Sequence, residues 1–440
     1  MMFSASAASA PGKVILFGEH AVVSGATAVA TSLSDLRVEA HVHPLQGNPG
    51  VEIVLGFLDG NEEGYASSLK WTLGQIHGAM RSGNALSWSP NPLCPEPPPE
   101  GLIDALEKLC ELHPERAHAA YVPALFLASA LIPSLQPSTA LPDIPVGMRL
   151  VCPQSPIPVG AGLGSSAAYS VSVAGALVCA RLGLNQASGS DRKPEDSFVK
   201  PTPAATVAIN GWAFEAEKII HGKPSGIDNT VSTFGGTVQY RKSPSGNVVQ
   251  FFNAPAAFRL QLLIVNTKVP RSTRDLVAKV QNEFHSTDAS RSVRMKGIFN
   301  AVDNVSRSYI KAIEDAAASC DKDDPLAVAR AERALIDQME ALVDVNQQLL
   351  CNMGVSHEAI DRVCEMSARR GLHSKLTGAG GGGCVITVLP RNSNVDGEAL
   401  ASAFERDLAN EKVTKGCESI RSRLGGDGVI FIAPRVPSLP

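Results

Sequence analysis

Short apolar runs alternate along the chain with longer stretches in which apolar residues recur every three or four positions. The runs at 13–17, 51–55, 146–151, 260–265, 384–389 and 429–432 are rich in Val, Ile and Leu and predict strands. Segments 166–182, 205–220, 325–351 and 356–370 predict helices. In the third of these, Leu335, Met339, Leu342, Val345 and Leu349 fall at helical spacing and predict a core-facing stripe. Three stretches break the pattern. Residues 90–99 (PNPLCPEPPP), 132–145 and 185–203 concentrate Pro, Ser and charge, which cannot sustain a helix or a central strand, so mobile surface loops are expected there. A further composition shift at 243–258 precedes a helix-rich remainder and marks a seam between domains at 1–255 and 256–440.

With 440 residues, 44% of them hydrophobic, the chain can bury substantial cores. A net charge of −4 without a long Lys/Arg run gives no electrostatic footprint for nucleic acid or an anionic membrane, which favours a small-molecule substrate. No apolar run reads as a membrane span, and the N-terminal MMFSASAASA lacks the basic region and long apolar core of a secretory signal. Nine cysteines are scattered without a CxxC or zinc-ligand spacing, as expected of reduced thiols in a cytoplasmic protein. Cys384 alone sits in a motif, where a small residue packed beside glycines is expected.

Four motifs carry chemistry. Residues 156–170 read PIPVGAGLGSSAAYS. Gly160, Gly162 and Gly164 let the backbone approach a ligand, and Ser165 and Ser166 open an alanine-rich helix whose N-terminus supplies unpaired N–H groups and partial positive charge. That pattern suits a phosphate cradle and suits equally a tight turn ahead of a buried helix; it is no GxxxxGK[ST] loop. Residues 11–23, PGKVILFGEHAVV, place Lys13 at one mouth of a glycine-bracketed strand and Glu19 and His20 at the other. Each alone reads as a solvated strand end or turn residue, whereas together they read as a site. In AFEAEKIIHGKPSGIDNTVSTFGG (213–236), Glu215 and Glu217 are two apart on a helix and point to nearly opposite faces, so one of them can face a site. The following loop puts Asp228 in a turn. Finally, four consecutive glycines in KLTGAGGGGC (375–384) cost backbone entropy, which implies an approach that no side chain would allow.

These four segments, in this order, resemble the GHMP kinase superfamily, as do NTKVPRSTRDLV at 266–277 and VNQQLLCNMGVSHEAID at 345–361. The likeness covers most of the chain. Lys13 stands where galactokinases usually carry Arg in a PGR segment, His20 departs from the GEY of phosphomevalonate kinases, and the superfamily's decarboxylases lack GEHAVV. The resemblance implies an α+β, two-domain fold, with an N-terminal S5-domain-2-like domain, a ferredoxin-like, helix-rich C-terminal domain and an active site between them. The activity it implies is ATP-dependent phosphorylation of the primary C5 hydroxyl of mevalonate, an early step of isoprenoid and sterol biosynthesis. Pro158, Gly160, Ala161, Gly162, Leu163, Gly164, Ser165, Ser166 and Ala167 would then hold ATP, and Ser166 and Glu217 would ligate Mg²⁺. Asp228 would accept the hydroxyl proton and Lys13 would stabilise the developing alkoxide, while Lys13, Glu19, His20, Asp228 and Thr267 would hold the substrate. A homodimer and inhibition by prenyl diphosphates at the ATP site are also implied.

Overall fold

Each of the six apolar runs pairs into a sheet. The computed structural model describes residues 4–46, 50–56, 67–111, 115–132, 135, 146–184, 198–243, 246–252, 254–390 and 397–435. Eight of its strands form one sheet: β1 (Ser6–Phe17), β2 (Thr27–Gln46), β3 (Gly50–Leu55), β4 (Ser67–Thr72), β5 (Val146–Cys152), β6 (Thr237–Arg241), β7 (Val248–Phe252) and β12 (Ile430–Ile432). They run in the order β12-β1-β2-β5-β3-β4, and the β6–β7 hairpin joins through Thr27 to Thr31 of β2. The second sheet has the order β11 (Glu418–Arg423), β8 (Gln261–Asn266), β10 (Cys384–Val388), β9 (His373–Leu376) and is antiparallel throughout.

Eleven helices are described: α1 (Leu73–Ser82), α2 (Leu102–Cys110), α3 (Glu115–Leu131), α4 (Ser165–Leu182), α5 (Pro203–His221), α6 (Ile227–Phe234), α7 (Thr273–Phe284), α8 (Ala289–Ser319), α9 (Pro325–Asn352), α10 (Glu358–Ala368) and α11 (Gly397–Asn410). Helix α4 lies against β1 and β2, and its small residues permit a close approach: a Cβ on Gly175 would stand 3.0 Å from the Ala8 side chain. By length and composition α4 could cross a membrane, contrary to the sequence reading, but 78% of it is buried inside the protein, as suits a core helix. The two strongest surprises are β2 and α8, the longest strand and helix described. The run of β2 is interrupted by SLSDLR, and α8 spreads its buried residues, Met295, Phe299, Val302, Tyr309 and Ile313, among many charged ones. Along α9, Leu335 and Met339 are buried as expected, but Val345 is 50% exposed. The buried face instead follows Ile336, Val343, Asn346 and Leu350, because a spacing of three or four residues drifts around a straight helix.

The Pro-rich stretch at 90–99 is irregular, yet it is tied to the core. Trp212 Nε1 donates to Pro92 O at 2.9 Å, and the Pro95 ring rests where a side chain on Gly211 would otherwise stand. Most of 132–145 and 185–203 lies outside the described residues. Within the second of these, Val199 bridges to Phe431 of β12.

Candidate active site

The glycine loop and the start of α4 form one wall of a cleft. Gly160, Gly162 and Gly164 have φ values of 74°, 89° and 71°, a region that side chains other than glycine rarely occupy. Gly164 is the N-cap of α4 and no side chain caps that helix, so its first-turn N–H groups face the loop. The same glycine admits Lys13: a Cβ there would stand 2.9 Å from Lys13 Cγ, and the Lys13 backbone N–H donates to Leu163 O at 2.9 Å. A Cβ on Gly162 would fall 2.2 Å from Arg271 Nη2. Gly162→Ala therefore combines a left-handed backbone cost of about 1–2 kcal/mol with displacement of the guanidinium. Its expected result is about a five- to thirtyfold loss of nucleotide affinity by calorimetry, the equivalent of that strain; unchanged affinity would sink this reading of the loop.

Helix α5 brings Glu217 to the first turn of α4. Its Oε2 accepts from Ser166 Oγ at 3.3 Å and its Oε1 from Ser170 Oγ at 3.1 Å. His221, one turn on, is 3.1 Å from Ser166 Oγ and 3.7 Å from the carboxylate. Glu215 projects elsewhere and pairs with Lys218 at 2.5 Å, as the opposite-face argument requires. Burial, with the nearby Asp228 charge, pushes the Glu217 carboxyl up to about 7. Hydroxyl and carboxylate oxygens are the hard donors that Mg²⁺ takes. Among the described residues no cluster of three His, Cys, Asp or Glu side chains could hold a metal, so an ion here would rely on phosphates and water for its other ligands.

Asp228 lies in the first turn of α6, behind Gly226 at φ 82°, and so sits on a helix where the sequence predicts a turn. That helix is held to β1 by Ser232 Oγ donating to Pro11 O at 2.6 Å, and to α5 by Asn229 Nδ2 donating to Asn210 Oδ1 at 2.8 Å. The result is an ion pair between Lys13 Nζ and Asp228 Oδ2 at 3.1 Å, with the lysine buried and the carboxylate partly open to the cleft. The cleft encloses about 760 Å³, and Lys13, Lys223, Lys242 and Arg271 give it a cationic lining. A mostly apolar cavity of about 240 Å³ adjoins the loop, lined by Ile157, Val159, Tyr169 and Ile220.

Residues 331–410 match the family model for the GHMP kinase C-terminal region. Over 428 residues the chain is 33% identical to the mevalonate kinase of Arabidopsis thaliana, covering 96% of this chain and 98% of that one. It is 32% identical to the mevalonate kinase of Homo sapiens, covering 96% and 93%. The chain belongs to the mevalonate kinase family. Its fold is that of GHMP kinases: a solved L. major mevalonate kinase in complex with R-mevalonate aligns with a TM-score of 0.58 over 94% of this chain and 95% of that one, at 19% identity.

The remaining residues expected from the family motifs are distributed unevenly. His20 borders the cleft with an unusual φ of 60°; its Nε2 bonds Ala379 O at 2.8 Å, and its Nδ1 is buried with no hydrogen-bond partner among the described residues. The Nε2 proton goes to that carbonyl, which leaves Nδ1 an acceptor; burial lowers the imidazole pKa and keeps it neutral. Glu19 also borders the cleft, but its carboxylate is fully buried, paired with Lys375 Nζ and accepting from Asn346 Nδ2 at 3.1 Å. Thr267, expected at the substrate, does not line the cleft. Its hydroxyl and backbone N–H both donate to Gly383 O, at 2.8 and 2.9 Å, because the residue continues the pairing of β8 with β10. Three residues from the same motif line the cleft: Arg271, Thr273 and Val277. Arg271 Nε and Nη1 are buried without a hydrogen-bond partner among the described residues, and burial lowers the guanidinium pKa. Gly162, Gly378 and Gly383 each leave room for the Arg271 guanidinium, an approach of glycines from two distant motifs that the sequence alone does not record.

Proposed function

We infer that the chain transfers the γ-phosphoryl group of ATP to the primary hydroxyl of mevalonate, giving 5-phosphomevalonate and ADP. The observation that carries this reading is the 3.1 Å Lys13–Asp228 pair facing the glycine loop across one cleft. The loop N–H groups and the α4 N-terminus would hold the β- and γ-phosphates, and the apolar cavity beside the loop has the size and lining for the nucleobase. Ser166 and Glu217 would hold Mg²⁺, which, when bound, neutralises phosphate charge. The primary hydroxyl, set against Asp228, gives up its proton to that carboxylate as its oxygen bonds phosphorus and the bond to the ADP oxygen breaks. Lys13 stabilises the alkoxide character that builds during this transfer. His20 Nδ1 can accept from a substrate hydroxyl, while Arg271 and Lys242 provide cations for its carboxylate.

A coupled ADP-release assay across mevalonate, phosphomevalonate, homoserine and galactose tests the assignment. Turnover confined to mevalonate is expected, and a better rate with another alcohol would overturn it. Division of the chain near residue 255, with β12 returning to the first sheet, belongs to the same proposal, as do a cytoplasmic location and a homodimer measurable by sedimentation. Prenyl diphosphates offer the same two phosphates plus an apolar tail that suits the adjoining cavity. Farnesyl diphosphate should therefore raise the apparent KM for ATP; an unchanged KM would remove it.

A further inference from the structure

A buried ion pair ties the strand that carries Lys13 to the strand that precedes the second glycine run. Glu19 follows β1, and Lys375 lies on β9 of the other sheet; the side chains of both are fully excluded from solvent. The pair is fully bonded. Lys375 Nζ also donates to Leu376 O at 2.7 Å and stands 5.9 Å from the Phe17 ring centroid, while Asn346 of α9 donates to the second Glu19 oxygen. Around it the two segments are fastened twice more. Thr377 Oγ1 donates to Ile15 O at 2.8 Å, and His20 Nε2 reaches Ala379 O. Gln347 of α9 accepts from Leu376 N at 2.9 Å and completes the support.

Such a pair gives little net stability, since desolvation offsets most of the attraction, but removing one partner leaves a buried charge uncompensated. What it supplies here is registration. His20 is held at a φ of 60°, a conformation that persists only where its surroundings over-determine it, and its neighbours are Glu19 on one side and the Ala379 carbonyl across the cleft edge.

We propose that Lys375 is a positioning residue of the phosphotransfer site: through Glu19 it fixes the His20 imidazole against the second glycine run, without touching either substrate. The proposal rests on the phosphotransfer reading above. It also gives Glu19 a role through Lys375 in place of direct substrate contact.

The test uses the full chain as Lys375→Met, Glu19→Gln and the double variant. All three should raise the KM for mevalonate by roughly ten- to a hundredfold, by about the same factor, because the two residues act as one unit. Affinity for a non-hydrolysable ATP analogue should change by less than about twofold, since the glycine loop lies elsewhere. The double variant should recover the thermal stability that either single change loses, and it serves where a single variant fails to fold. Recovery of the mevalonate KM together with stability would reduce the pair to a structural one and overturn the proposal. Equal losses for ATP and mevalonate, or factors that multiply in the double variant, would overturn it as well. Wild-type protein inactive on mevalonate would sink the phosphotransfer reading instead, and the three variants would then be compared on whichever alcohol it accepts.

Discussion

Asp228→Asn is expected to lower kcat by about 10²–10⁴-fold while nucleotide affinity survives, the range that a positioned general base contributes. The substitution keeps the shape of the side chain and of the first turn of α6, so the change is one of charge and basicity. Asp228 stands 3.1 Å from Lys13 and makes no hydrogen bond to the glycine loop, so the phosphate contacts are left intact. Asn cannot receive the hydroxyl proton, and it leaves the buried Lys13 ammonium without its counter-charge. Steady-state rates with calorimetric ATP binding separate the two effects. Retention of more than about a tenth of the wild-type rate would remove Asp228 from the reaction, because even the low end of general-base catalysis is a hundredfold.

Glu217→Gln should make the metal-free protein more resistant to heat at pH 8 than wild type, with the advantage vanishing near pH 5. The folded carboxyl titrates at about 7, above the 4.5 of an ordinary glutamate, because burial and Asp228 disfavour its charge. The folded state therefore holds this proton more tightly than the unfolded chain does. Its stabilising contribution is complete below pH 4.5 and is lost as pH rises through about 7, a difference of about 3 kcal/mol. Gln keeps the neutral form at every pH. The same burial sets the cost of ionising Glu217 for Mg²⁺, so binding of Mg²⁺ with nucleotide to the wild type should release protons near pH 7, and Glu217→Gln should abolish that release. Melting curves at pH 5 and 8, and calorimetry in buffers of different ionisation enthalpy, measure these outcomes. A wild-type to variant difference in melting temperature that does not change with pH would refute the assignment.

The legibility of the site varied with the kind of information each residue needs. Glycines 160, 162 and 164 were readable because their requirement is local: a left-handed backbone beside a helix N-terminus. Helical periodicity showed that Glu215 and Glu217 could not share the site, and the match to the family's motif, not periodicity, picked Glu217. Thr267, just past the end of β8, turns its hydroxyl to the Gly383 carbonyl; a polar side chain there looks the same in sequence whether it faces the cleft or the neighbouring strand. Arg271, in the irregular segment before α7, and Thr273 and Val277, in its first two turns, line the cleft. Likewise β2 and α8 leave no clear pattern in the sequence, since their buried positions are set by what packs on them and polar residues interrupt their periodicity.

The chain by itself determined the strands of its apolar runs, the α4 and α5 helices, the conformations its glycines permit and the order of the motifs, all of which follow from interactions within a few residues. Only the tertiary structure decided which charges meet. Lys13 and Asp228 come together from β1 and α6, and Glu19 and Lys375 from positions 356 apart in sequence. Burial then decided which groups are shifted and which are left without a partner: Glu217 is pushed up to about 7, and His20 Nδ1 and Arg271 Nε and Nη1 have no hydrogen-bond partner among the described residues. Desolvation and pairing depend on what the whole fold packs around a group, and no local pattern records that.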